Sequence, residues 1–117
     1  MTLPMKSPEI KYTERKPKPL RVSFFRDGMI HMQKKRVGNV ALFELGTSTI
    51  GFEVVMIRIA KPQKLPNGEM APWREAYPST GEFGTRGWYF MHEQRAEAEA
   101  KFDSLVRAEK EAKRGKA

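Results

Sequence analysis

Leu20-Arg21-Val22-Ser23-Phe24-Phe25-Arg26-Asp27-Gly28-Met29-Ile30-His31-Met32 is the stretch on which the fold turns. Leu20, Val22 and Phe24 alternate with Arg21, Ser23 and Phe25, the period of two that places successive side chains on opposite faces of a strand. Asp27-Gly28 is a dipeptide favoured in two-residue hairpin loops, because both residues tolerate the left-handed backbone such loops need. The stretch therefore predicts paired strands over 20–25 and 29–36. Val37-Gly38-Asn39 breaks the pattern, Val40, Leu42 and Phe43 begin another strand closed at Gly46, and the Gly/Ser/Thr content of Gly46–Gly51 reads as a loop.

From Phe52 to Ala60, Val54, Val55, Met56, Ile57 and Ile59 populate both faces, which predicts a single central strand, with Pro62 preventing extension. Pro66-Asn67-Gly68 marks a turn, and Trp73 to Tyr77 reads as a short edge strand bounded by Pro72 and Pro78. Ser79 to Gly87 is a glycine-rich loop leading into the aromatic strand Trp88-Tyr89-Phe90-Met91. Glu93 to Arg114 contains neither Gly nor Pro and is rich in Ala, Glu, Lys and Arg, the composition of a helix. Ala98, Phe102, Leu105, Val106 and Ala112 recur at helical spacing on one face; Glu97 with Lys101 and Glu109 with Lys113 form ordered i,i+4 pairs, and Gly115 is a stop. The fold class is α+β: an antiparallel sheet of about five strands with one C-terminal amphipathic helix packed on a face.

The 117 residues suit one domain. Charged residues make up 31% and hydrophobic ones 39%, the balance of an ordered core with polar ends. Residues 1–19 hold Pro4, Pro8, Pro17 and Pro19 among Lys6, Lys11, Arg15, Lys16 and Lys18, and read as a disordered basic arm ahead of one α+β domain over 20–117 with a frayed tail. The absence of cysteine excludes disulfides and thiolate chemistry and points to a reducing compartment, hence the cytoplasm. No apolar run approaches the roughly 20 residues that span a bilayer, so no membrane association is expected.

Charge is unevenly placed. Of the net +8, the first 36 residues carry ten Lys/Arg against three Asp/Glu, whereas residues 37–92 balance at five against five. Clustered cations are what counterion release from a phosphate backbone rewards, so nucleic acid, DNA or RNA, is the expected partner. Arg21, Arg26, Lys34, Lys35 and Arg36 are the candidate phosphate contacts. Arg86 and Trp88, beside the glycine-rich loop, are candidates for pairing a guanidinium with phosphate and stacking an indole on a base. The competing structural readings are that Trp88 and Phe90 enter the core and that lysines merely guard an edge strand. His31 and His92 lie in different elements with no ligand-spaced neighbours, His92-Glu93 lacks the second histidine of a zinc helix, and the loop before Trp88 is not followed by Lys-Ser/Thr. No catalysis, cofactor or metal is expected. The alternative to nucleic-acid binding is a small interaction protein, an inhibitor or accessory subunit that uses its basic face on an acidic protein surface or in a partner's nucleic-acid groove.

Gly81-Glu82-Phe83-Gly84-Thr85-Arg86-Gly87-Trp88, followed by an aromatic strand and by Ala96, Ala98, Phe102 and Leu105 in a charged helix ending near Gly115, resembles the C-terminal half of the WGR domain. That resemblance implies a small antiparallel sheet with one helix that binds nucleic acid or neighbouring domains. The family's Trp-Gly-Arg signature is absent: Glu82 stands at the position of its Arg and no Trp precedes Gly81. Tyr77-Pro78-Ser79 and Phe83-Gly84 also resemble, more loosely, a pattern in short proteins of bacteria and their phages, which implies no function.

Overall fold

The computed structural model describes residues 17–115. They divide into a larger unit of 21–57 with 77–115 and a smaller one of 17–20 with 58–76. In the larger unit β1 (Ser23–Arg26), β2 (Met29–Val37), β3 (Val40–Leu45), β4 (Gly51–Met56) and β9 (Gly87–Met91) form one antiparallel sheet in the order β1-β2-β3-β4-β9. The first hairpin closes as its sequence predicts: Asp27 and Gly28 have φ of +54° and +78°, the paired left-handed residues of a turn whose twist matches its strands. In the second hairpin Gly38 takes φ of +61°, and a Cβ there would lie 2.6 Å from Glu109 Oε1. Gly38→Ala is therefore expected to cost about 1–2 kcal/mol, mainly from left-handed backbone strain, since the Glu109 side chain can swing aside. A urea midpoint equal to that of the parent protein would show that the turn relaxes.

One face of this sheet carries the helix α1 (Arg95–Gly115), entered through a single 3-10 turn at His92–Gln94. Strand alternation presents Val40 and Leu42 from β3 and Phe52 and Val54 from β4, and these pack with Ala98 and Phe102 of α1; Phe90, Leu105 and Val106 close the margin. The sheet and helix expected from the pattern are thus present. The apolar stripe is shorter than expected, since Ala112 is exposed. Lys101 lies 4.1 Å from the Trp88 ring centroid, and Glu109 accepts the Asn39 N–H at 3.3 Å.

The expected single strand over Phe52–Ala60 is broken. β4 ends at Met56, and buried Ile57 donates its N–H to Asn39 O at 2.7 Å. From Arg58 the chain joins the smaller unit as β5 (Arg58–Ala60). An apolar run marks burial on both faces, but it carries no mark of where the backbone exchanges one partner for another. In the smaller unit β5 pairs with β8 (Arg74–Ala76), and β6 (Gln63–Lys64) pairs with β7 (Met70–Ala71) across the predicted Pro66-Asn67-Gly68 turn, where Gly68 has φ of +90°. The segment expected as a basic arm lies outside the described residues up to Lys16. Beyond it, Lys18 donates its N–H to Trp73 O at 2.9 Å and accepts that of Glu75 at 2.8 Å, a parallel bridge to β8. Among the described residues no helix is long and apolar enough to cross a membrane.

Candidate functional site

Lys34-Lys35-Arg36 does not form one cationic row, and the reason is local. Gln33 pairs with Phe43 and Lys35 with Leu42, so Lys34 is the extra residue of a β-bulge. The bulge turns Lys35 onto the helix side, where its Nζ stands 3.9 Å from Glu99 Oε1 and 5.1 Å from the Phe102 ring centroid. Lys34 Nζ pairs with Glu44 Oε1 at 3.3 Å. Glu44 also accepts the Thr49 hydroxyl; that bond first, and Lys34 after it, hold the carboxyl below its usual range. Arg36, next in the strand, turns to the opposite face and donates from Nε to Gly38 O at 2.8 Å.

The remaining candidates are scattered too. Arg21 is exposed just before β1. Arg26 ends β1 on the face away from the helix, its guanidinium carbon 5.1 Å from the Tyr77 ring centroid and its Nε 3.6 Å from Asp27 Oδ2. Arg86 is exposed in the glycine-rich loop, 3.8 Å from Glu82. Trp88 is half-buried on the helix side, opposite Val54 in register, with one ring face covered by Lys101. The loop glycines next to them have structural uses: Gly84 takes φ of +101°, and a Cβ on Gly87 would meet the Phe83 ring at 3.0 Å. What the sequence pattern did not reveal is an exposed apolar set on the same basic hairpin. Phe25 is 77% exposed on edge strand β1, and it shares a face with exposed Met32.

The sheet face opposite the helix holds a second feature absent from the sequence-based expectations. Phe24, His31, Phe43 and Tyr77 form an aromatic cluster with ring centroids 5.2–5.7 Å apart, and Glu53 of β4 stands among them. Glu53 Oε1 accepts the Tyr77 hydroxyl at 2.6 Å and faces His31 Nε2 at 3.6 Å. His31 is only 1% exposed, and its Nδ1 lies 3.1 Å from Met29 O, so that Nδ1–H donates there; its Nε2 faces Glu53 from beyond hydrogen-bond distance. Burial first, and then the Glu53 charge, push the Tyr77 phenol far above its usual value, which keeps it a hydrogen-bond donor. The signal for this cluster was present: Glu53 is a carboxylate inside the most apolar run of the chain. Its partners come from β2 and from the segment after β8, which no local pattern connects to it.

Arg26, Asp27, Glu53, Thr80 and Phe83 line an open cleft of about 200 Å³ beside this cluster. Among the described residues no group of three or more His, Asp or Glu is placed to hold a metal ion. Comparison with protein-family models, with curated proteins and with solved structures found no match.

Proposed function

We propose that this chain is a small non-catalytic nucleic-acid-binding module. Arg21, Lys34, Lys35 and Arg36 meet backbone phosphates, and Arg86 adds a contact from its loop. The observation that carries the reading is the exposed Phe25 ring on the hairpin that bears Lys34, Lys35 and Arg36. A solvent-facing aromatic on a strand pair that carries Lys and Arg further along can stack an unpaired base while the cations neutralise the adjoining backbone, which favours single strands. The ion pairs of Lys34 and Lys35 do not oppose this. Both lysines are more than two-fifths exposed, and such pairs are worth at most about 1 kcal/mol, so exchange of a carboxylate for a phosphate costs little.

Replacing Lys34, Lys35 and Arg36 together with Ala is expected to lower the slope of log K against log salt by about 2–3, because each lost contact removes roughly 0.7–0.9 of a counterion from the release term. The weakening should be similar across unrelated sequences, since phosphate contacts position without specifying. The purified protein should also carry ultraviolet-absorbing nucleic acid that a high-salt wash removes. Absence of salt-dependent binding to single-stranded or duplex nucleic acid at about 50 mM salt would defeat the reading and leave the basic hairpin to an acidic protein partner.

A further inference from the structure

The walls of the cleft bordered by Arg26, Asp27, Glu53, Thr80 and Phe83 bring together a cation, a fixed carboxylate, a hydroxyl and an aromatic ring. Glu53 is its central element. The side chain is 13% exposed, so one part is held within the cluster while the rest reaches the cleft. Tyr77 donates to Oε1, His31 Nε2 lies 3.6 Å from that same oxygen, and among the described residues nothing engages Oε2. Oε2 is therefore an acceptor whose position is set from behind by the Tyr77 phenol, the kind of preorganised group that fixes ligand orientation.

The walls also restrict what can enter. A free phosphate would meet two carboxylates, Asp27 and Glu53, and a simple amine would meet the Arg26 guanidinium. A neutral flat ring with N–H donors on one edge and acceptors on another satisfies all of them, with the ring against Phe83. A volume of about 200 Å³ lies below the roughly 300–1,000 Å³ of pockets that enclose drug-sized ligands, which suits one ring system and not a whole nucleotide. Among the bases, guanine presents two adjacent donors, its ring N–H and its amino group, together with the O6 and N7 acceptors that arginine prefers. Cytosine and adenine each place a ring acceptor beside the amino group, and thymine or uracil flanks its single N–H with carbonyl oxygens. Either arrangement sets lone pairs against the carboxylate.

We propose that this cleft is a specificity site for one unpaired guanine, whose ring N–H and amino group donate to Glu53 Oε2 while O6 and N7 face Arg26 and Phe83 covers the ring. The site rests on the nucleic-acid reading above and adds to it a base preference that phosphate contacts cannot supply. It also gives the buried cluster a role in binding, since Tyr77, packed against His31, positions the carboxylate.

The test uses the full chain and labelled eleven-nucleotide DNA strands, followed by fluorescence anisotropy at fixed low salt. One strand is all thymidine; the others carry a single central guanine, inosine or adenine. The guanine strand should bind about tenfold more tightly than the thymidine strand, with inosine, which lacks the amino group, in between and adenine close to thymidine. Glu53→Gln should abolish the preference, so that the guanine and thymidine strands bind this variant equally. Because Glu53 also holds Tyr77, Thr80→Phe serves as a second variant: it fills the cleft from an exposed position and should remove the guanine preference with Glu53 in place. Salt-dependent binding of all four strands with equal affinity would overturn the site and spare the binding module. Binding of none would overturn both, and a guanine preference that survives Thr80→Phe would place base recognition outside this cleft.

Discussion

Phe102→Ala is expected to leave much of the protein unfolded. Phe102 is 4% exposed and is the largest side chain that α1 lays on the sheet, packed with Leu42, Phe52 and Val54 below it and Ala98 one turn away. Truncation removes the transfer free energy of a ring and leaves a cavity that two rigid elements cannot close, a loss of about 3–5 kcal/mol. A domain this small sits toward the low end of the roughly 5–15 kcal/mol that folded proteins hold, so the variant retains little or nothing. The Lys35 ammonium above the ring adds to the loss, because it would then face a void. A urea unfolding curve, or the helical circular dichroism signal at rising temperature, reads the effect directly. A midpoint equal to that of the parent protein would mean that α1 is held by something other than this stripe.

The second large effect is alkaline. Below pH 10 the Tyr77 phenol is protonated in both the folded and unfolded chain and contributes no pH dependence. Above that value the unfolded chain releases its proton, whereas the folded chain keeps it, because burial and the Glu53 carboxylate raise the folded phenol well past 10 and the smaller opposing effect of Arg26 does not restore it. The unfolded state then binds fewer protons, so stability falls with rising pH, by about 1.4 kcal/mol per unit from Tyr77 alone. Urea midpoints measured from about pH 8 to about pH 11 should show this decline. Tyr77→Phe keeps the ring contacts with Phe24 and Phe43 and should remove the extra slope. It should also lower stability near neutral pH by about 1–3 kcal/mol, since Glu53 Oε1 loses its donor. Equal slopes in the two proteins would show that Tyr77 ionises in the folded state, and that Glu53 is not held as described.

The functional reading depends on how the charge is arranged as much as on how much of it there is. A basic N-terminal third is plain in the composition, yet strand alternation, reset by the bulge at Lys34, sends Lys35 and Arg36 to opposite faces, each with a neighbour of its own. Binding that tracks a flexible single strand around the edge hairpin tolerates such scatter better than docking on a straight duplex. The same alternation brings Arg26 beside Tyr77 and the cleft, away from the lysines.

Local chemistry accounts for the elements that were legible in advance. The two-residue alternation before Asp27-Gly28, the left-handed turn that this dipeptide permits, and the helical spacing of Ala98, Phe102 and Leu105 are each decided by residues a few positions apart, so the sequence by itself determined an antiparallel sheet with one helix across it. Other features depend on residues far apart in the chain: the return of β9 to the side of β4, the break at Ile57 that passes the chain to the smaller unit, and the meeting of His31, Glu53 and Tyr77. Each is settled by which strand edges and side chains satisfy one another once the chain has closed on itself. A carboxylate within an apolar run calls for polar partners or an opening to solvent, because burying it with neither costs several kcal/mol, but only the packed structure decides which residues supply them.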